Sequence, residues 1–328
     1  MTTLVPTGPA DLLTVRFAWS PLWETLHAVR TFVDARSRPY HAAWQEVVAD
    51  EADRLDLSPL FAITPLQGFT PDFLTPPPKV PDPSIRDQLD AVRATPADQV
   101  ALELRRCRDA LADPGARQEV DRMLSDPAAA RDLLAERARI VWERIVAPFW
   151  ARVRRLLDAD IAHQSRELSR RGLGPMIDGI DPRIHWHAGA VVVDDGSRAT
   201  VPLAGRGLVL MPSAYVWPSV AAIVDTPWQP TIAYPARGIA ELWQQPPAPP
   251  HALLRLIGRT RALLLASLDQ PTSTSALAEI LGYSVSGTSG HLIALRDAGL
   301  VAGTRHGHEI RYVRTPLGTK LIRAGRED

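Results

Sequence analysis

The chain has 328 residues, one cysteine, and 37 Lys or Arg against 37 Asp or Glu. That length accommodates two domains of ordinary size, and Cys107 alone excludes an internal disulfide or a site of paired thiolates. No apolar run approaches the roughly 20 residues that cross a bilayer, and the opening MTTLVPTGPADLL lacks a basic-then-apolar leader profile, so a cytoplasmic protein is expected. Neutrality overall argues against a nucleic-acid partner, but residues 251–328 hold ten Lys or Arg against six Asp or Glu, a local surplus of +4.

Residues 12–19 alternate enough for a short strand. Ser20 and Pro21 then open a helix, Ser20 as its cap and Pro21 in its first turn, with Leu22, Leu26, Val29 and Val33 on one stripe. A second helix is expected over 41–55. Trp23 and Trp44 are read as core aromatics, with a ligand pocket lined by them as the other reading. Proline accumulates over 64–83, which predicts an ordered surface crossover covering Phe69, Phe73 and Leu74. Short helices follow at 85–94, 98–112 and 116–124. The longest helical pattern runs over 126–171, with Pro148 kinking or dividing it. Arg137, Arg139, Arg144, Arg152, Arg154 and Arg155 alternate there with Glu136, Glu143, Asp158 and Asp160, which makes a solvated or partner-facing surface rather than a basic patch.

After Gly172 the character changes. Residues 191–194, 199–203 and 207–211 are predicted strands separated by turn residues, which suggests antiparallel hairpins, and 212–224 with 228–235 continue as strand or extended loop. The run QQPPAPP at 244–250 is the clearest linker. It divides a helical region with a β-rich part near 183–235 (residues 1–243) from a smaller C-terminal part (residues 251–328). The predicted fold class is α+β, mainly helical.

The C-terminal part carries the sharpest pattern. A helix over 251–268 and a short one ending at Gly282 precede an amphipathic helix over 284–298, with Leu292, Leu295 and Ala298 inward and Ser286, Thr288, Ser289, His291 and Arg296 on the remainder. Two strands over 300–313 turn at Gly307, and Thr315 with Pro316 opens a last helix. Two helices and a hairpin make a winged helix-turn-helix. Short hydroxyl side chains near a helix start suit phosphates and base edges. Arg305, His306, His308 and Arg311 lie on the hairpin, placed for backbone or minor-groove contact.

Ser284, Val285, Ser286, Ser289, His291 and Leu292, then Leu295, Ala298, Gly299, Leu300 and Val301, then Arg305, Gly307, His308 and Tyr312 resemble the recognition helix and wing of ArsR-type transcriptional regulators. The chain departs from that pattern in Gly290, where a basic residue is common, and in His308, where the wing has arginine. Gly287 and Gly290 each cost the helix about 1 kcal/mol relative to alanine, and a neutral His308 weakens the wing. Further upstream, SPLWE at 20–24, PLAGRGLVLMPSAYVWP at 202–218 and WQPTIAYPARG at 228–238 resemble the N-terminal part of one branch of ArsR-like regulators, a part of undefined function. The resemblance implies a homodimeric repressor that reads a palindromic site in double-stranded DNA. Its contacts would be Ser284, Ser286, Gly287, Thr288, Ser289, His291, Arg296, Arg305, His308 and Arg311, with helices 251–268 and 315–322 serving the dimer.

Residues 1–243 are then expected to be a sensor or dimerisation module, open to an unknown small-molecule effector. Other chemistry is weaker. His185 and His187 alternate on a strand and could pair on a metal, yet no third ligand follows from spacing. Asp178, Asp181, Asp194 and Asp195 stand beside turn residues. No phosphate-cradling loop, nucleophile elbow or dinucleotide fingerprint is present. No catalytic residue, metal site, cofactor or membrane partner is expected, and the protein is not expected to be an enzyme. The alternatives are a winged helix that binds protein, or a metal-dependent enzyme centred on His185 and His187.

Overall fold

The computed structural model describes every residue except 35–38, 67, 244–248, 270, 282, 307–308 and 325–328, and all side chains but those of 279, 280 and 306 among the rest. Two compact units divide the chain: Met1–Trp150 with Leu156–Ile239, and Ala240–Asp328 with the short stretch Ala151–Arg155. Both mix helices with small sheets, the α+β class expected. Residues 244–248 of the expected linker lie outside the described residues.

In the first unit the helices are α1 (Pro9–Leu13), α2 (Pro21–Val33), α3 (Ala42–Asp53), α4 (Ser58–Ile63), α5 (Ile85–Arg93), α6 (Ala97–Ala110), α7 (Pro114–Ser125), α8 (Pro127–Val141), α9 (Trp150–Arg171, apart from Ala151–Arg155) and α10 (Leu173–Asp178). The strands are β1 (Thr2–Val5), β2 (Val15–Phe17), β3 (Ile184–His187), β4 (Ala190–Val193), β5 (Ala199–Pro202), β6 (Leu208–Ser213), β7 (Ala221–Ile223) and β8 (Thr231–Pro235). They form two sheets, in the orders β3-β4-β1-β5 and β2-β6-β8-β7.

The expected succession of hairpins is therefore corrected. β1 enters between β4 and β5, antiparallel to the first and parallel to the second. In the other sheet β2, β6 and β8 are parallel, and only β7 runs against them. The reason is visible in β6, whose residues Leu208–Ser213 are all buried. Burial on both faces is the signature of a parallel strand, and a continuous apolar run carries no alternation to betray which way it pairs. Leu208, Leu210, Ile232 and Tyr234 pack with Leu4, Val191 and Val193 of the first sheet. Met211 and Ala233 pack with Trp23 on the other face.

Helix α2 is the pivot of the helical layer. Ser20 Oγ accepts from the Trp23 amide at 2.9 Å, and Gln88 reaches across from α5, donating to Ser20 Oγ at 2.7 Å and accepting from the Leu22 amide at 3.0 Å. Orphan donors of the first turn are thus satisfied inside the protein. The single apolar stripe expected for α2 understates it. Leu22, Leu26 and Val29 are buried, but so are Glu24, Thr25, His27 and Thr31, while Val33, the last residue, is 43% exposed.

Pro148 acts as expected on the long helical run. The α-helix ends at Val141, passes through a π turn (Trp142–Val146) and a 3₁₀ turn (Ala147–Phe149), and resumes as α9. A residue without an N–H cannot continue the i to i−4 ladder. Phe73 and Leu74 of the proline-rich crossover are fully buried, and Arg106 lies 4.1 Å above the Phe69 ring.

The second unit comprises α11 (His251–Ile257), α12 (Arg259–Ala266), β9 (Thr272–Ser273), α13 (Thr274–Leu281), α14 (Val285–Asp297), β10 (Val301–His306), β11 (Glu309–Arg314) and α15 (Pro316–Ala324). The one helix expected over 251–268 is two, because Gly258 adopts φ +82° and breaks it. A left-handed residue cannot propagate an α-helix, and glycine takes that conformation without penalty. Strand β9 joins the hairpin as a third strand, in the order β10-β11-β9. Leu253, Leu264, Leu265, Leu268, Leu277, Leu292, Leu295, Leu300, Val301, Tyr312 and Ile322 form the core.

Candidate nucleic-acid interface

Helix α14 is held at both ends by local chemistry. Ser284 is its N-cap, and Oγ accepts from the Gly287 amide at 3.2 Å. At the other end Gly299 adopts φ +70°, its N–H reaches the Arg296 carbonyl at 2.8 Å, and the Leu300 N–H reaches the Leu295 carbonyl at 2.9 Å. These two bonds make a Schellman cap, and its customary apolar contact is the shared burial of Leu295 and Leu300. The run Leu295 to Val301 is thus a helix stop and strand start in one. Beyond the hairpin, Thr315 Oγ1 donates to the Gly299 carbonyl at 2.7 Å and accepts from the Gly318 amide at 3.1 Å, tying α15 to the base of the wing.

The face of α14 that this leaves open carries Val285, Ser286, Gly287, Gly290, Ile293 and Arg296, all exposed, with Ser289 and His291 half-buried at its flanks. Ser286, Gly290 and Ile293 follow one another at helical spacing, opposite the buried Leu292 and Leu295. Nothing lies within 4 Å of a Cβ built on Gly290.

Two expected positions need correction. Thr288, placed on the open face by sequence, is fully buried, because 288, 292 and 295 form one stripe; its Oγ1 has no hydrogen-bond partner. Ala298, expected inward, is exposed, since it is the C-cap and lies past the last helical residue. Ser284 is exposed but has its oxygen engaged in the cap, and Arg296 shares Asp297 at 3.1 Å.

In the wing, Arg305 pairs across the hairpin with Ile310, and Thr304 with Arg311. Directly opposed residues share a face and neighbours along a strand alternate, so Arg305 and Arg311 stand on opposite faces of the ribbon. Arg305 is exposed and Arg311 half-buried. His308 and the turn residue Gly307 lie outside the described residues, as does the side chain of His306.

His185 and His187 are exposed on β3, at the edge of its sheet. Among the described residues no group of three His, Cys, Asp or Glu side chains is placed to hold a metal ion.

Sequence reasoning missed a concentration of polar groups inside the first unit. Glu24, in the first turn of α2, is fully buried, and its Oε2 accepts from the Ala214 amide at 3.0 Å and the Tyr215 amide at 3.2 Å, just past the end of β6. Burial pushes its carboxyl up to about 8, against the opposing pull of the Ser213 hydroxyl and those two amides. Tyr215 stacks on His41 with ring centroids 4.9 Å apart and meets Trp44 at 5.0 Å. The signal available in sequence was a lone carboxylate in the stretch PLWETL, beside Leu22, Trp23 and Leu26. At the end of β8, Asp160 is likewise buried, accepting from Tyr234 Oη at 2.9 Å and the Arg237 amide at 3.1 Å.

Two segments of the chain match known families. Residues 260–302 match the bacterial regulatory protein, arsR family, and residues 101–240 match a family of unknown function, DUF5937. Neither the curated proteins nor the solved structures contain a match. No helix among the described residues is long and apolar enough to cross a membrane. The matched region 260–302 covers α12 from its second residue, α13 and α14, and ends at the second residue of β10. Residues 260–302 thus form an ArsR-family helix-turn-helix domain, which supports a DNA-binding regulator, and residues 101–240 belong to a domain family of unknown function.

Proposed function

We propose that the protein is a cytoplasmic repressor that binds a palindromic operator as a homodimer, with α14 in the major groove and the β10–β11 wing against the backbone, and that it carries no catalytic activity. The observation that supports this most is α14, capped at both ends, with small side chains on its open face. Ser286, Ser289 and His291 reach base edges or phosphates there, and glycine at 290 lets the helix backbone approach the groove closely. Arg305 and Arg311, on opposite faces of the wing, address phosphates on either side of it. Thr288 takes no part, and Ser284 contributes through the cap. The dimer is supported by Leu256 and Leu317 on α11 and α15, which are 70% and 55% exposed and suit a partner's apolar surface. The first unit serves as the ligand-responsive part, changing the relation of two reading heads when it is occupied.

A second reading, a winged helix that docks protein, draws on Val285 and Ile293, which are 53% and 41% exposed on the same face of α14. Apolar side chains also meet thymine methyl groups. Selection from fragmented genomic DNA, with sedimentation of the resulting complexes, separates the two. Enrichment of a two-fold symmetric sequence bound by two chains supports the operator reading. Failure to enrich any sequence, or binding by a single chain, overturns it.

A further inference from the structure

In sheets with parallel strands, ligands favour the crevice beyond the carboxyl ends of the strands, where loops diverge. The first unit has such an edge, formed by β2, β6 and β8. Two buried carboxyl groups lie along it. Asp160 is saturated, one oxygen taking the Tyr234 hydroxyl and the other the Arg237 amide. Glu24 differs: Oε2 takes both the Ala214 and Tyr215 amides, and Oε1, with the residue fully buried, has no hydrogen-bond partner. A purely structural brace for two amides needs one oxygen, so the second is left without a hydrogen bond of its own, the Ser213 hydroxyl being the side-chain group that helps the ionised form.

We propose that this edge is a binding site for a small organic ammonium, with Glu24 Oε1 as its charge partner and the rings of Tyr215, His41 and Trp44 as its walls. The proposal deepens the ligand-responsive role given to the first unit and rests on it. The Ser213 hydroxyl and the amides on Oε2 already favour the ionised carboxylate, and among the described residues no cationic side chain figures in the influences on Glu24. Among those residues the group has no countercharge. Aromatic faces supply the negative quadrupole that attracts cations, an arrangement that serves quaternary and alkyl ammonium groups well. An anion would be repelled, and a metal ion would find a single carboxylate oxygen where it needs several ligands. Tyr40, next to His41 in the chain, packs on Trp217 at 4.5 Å and is 40% exposed.

The test is calorimetric titration of the full chain, without DNA, using tetramethylammonium and benzylammonium against tert-butanol and benzyl alcohol. Each ammonium is expected to bind at least about tenfold more tightly than the alcohol of similar shape, and Glu24→Gln, which keeps an acceptor for both amides, loses at least about tenfold in ammonium affinity. Melting and circular dichroism of the variant report whether it remains folded. Independently of any variant, binding to the wild type at pH 7 should release a proton, seen as a heat that varies with buffer ionisation enthalpy, because the carboxyl ionises on meeting the cation. The other titratable groups around it are Tyr215 after β6, held well above its ordinary value by burial and by Glu24, His41 ahead of α3, and His27 one turn along α2. Equal affinity for alcohols and ammonium ions, no ammonium binding, undiminished binding by a folded Glu24→Gln, or binding without proton release each overturns the proposal. None of these readouts involves DNA, so a chain that bound an operator but no ammonium would remove this inference and leave the regulator standing.

Discussion

Three glycines of the reading head give a graded test of how α14 and α15 are built. A Cβ on Gly290 meets nothing within 4 Å, one on Gly287 comes within 3.0 Å of Ser284 Oγ, and one on Gly318 comes within 2.2 Å of the Leu300 carbonyl oxygen. Gly290 sits in mid-helix, so Gly290→Ala gains the full propensity difference, about 1 kcal/mol. If the C-terminal unit melts by itself, that corresponds to a rise of about 4–8 °C in its transition. At Gly287 the same gain is set against displacement of the capping oxygen, itself worth about 1 kcal/mol, and the net change is close to zero. At Gly318 the obstacle is backbone that Thr315 ties down, and overpacking of about 1–3 kcal/mol outweighs any gain in propensity. Thermal unfolding followed by circular dichroism should rank the variants Gly290→Ala, then Gly287→Ala, then Gly318→Ala from most to least stable. A destabilised Gly290→Ala, or a Gly318→Ala as stable as wild type, refutes the packing described for this unit.

Thr288→Val replaces an unsatisfied buried hydroxyl with a methyl group of similar shape, and chemical denaturation should find the variant equal to or about 1 kcal/mol more stable than wild type. Its DNA affinity should not change; a weakened complex would return Thr288 to the contact surface. Gly290→Lys places a cation on the open face of α14, and fluorescence anisotropy should report tighter binding to all duplexes with a salt slope steeper by about 0.9. An unchanged slope would mean that this face does not approach phosphate. Glu24, with its folded value raised to about 8, holds a proton that the unfolded chain gives up near pH 4.3, so stability is lost as pH rises between those values, by up to about 1.4 kcal/mol per unit. Denaturant titrations from pH 5 to 8 should follow that decline in wild type and a flatter course in Glu24→Gln. Parallel courses would show that the carboxyl is ionised throughout.

The elements that sequence reveals here are those whose signals are local. Ser20 with Pro21 and the prolines at 114 and 127 mark helix starts because a cap and a fixed φ act within one turn. The run from Leu295 to Val301 is equally transparent, since the Schellman cap is closed by residues three to five apart. Pairing is not local. β1 joins strands nearly two hundred residues away, and the all-buried β6 has no alternation to tell parallel from antiparallel neighbours. The same limit hid Glu24, whose partners Ala214 and Tyr215 are distant in sequence and whose significance is that one oxygen goes unused. Thr288 was misplaced for a smaller reason: a threonine among serines looks like part of a polar face, and only the helical phase relative to Leu292 and Leu295 puts it inside.

The most direct test of the central claim, that the open face of α14 and the adjoining wing read DNA, is salt-dependent affinity of the full chain for its selected duplex. Wild type should be compared with His291→Ala, Arg305→Ala and Thr288→Val. The account predicts that His291→Ala loosens the complex on the selected sequence more than on random duplex, that Arg305→Ala loosens both and lowers the salt slope by about 0.9, and that Thr288→Val binds like wild type. Unchanged affinity in both His291→Ala and Arg305→Ala contradicts it.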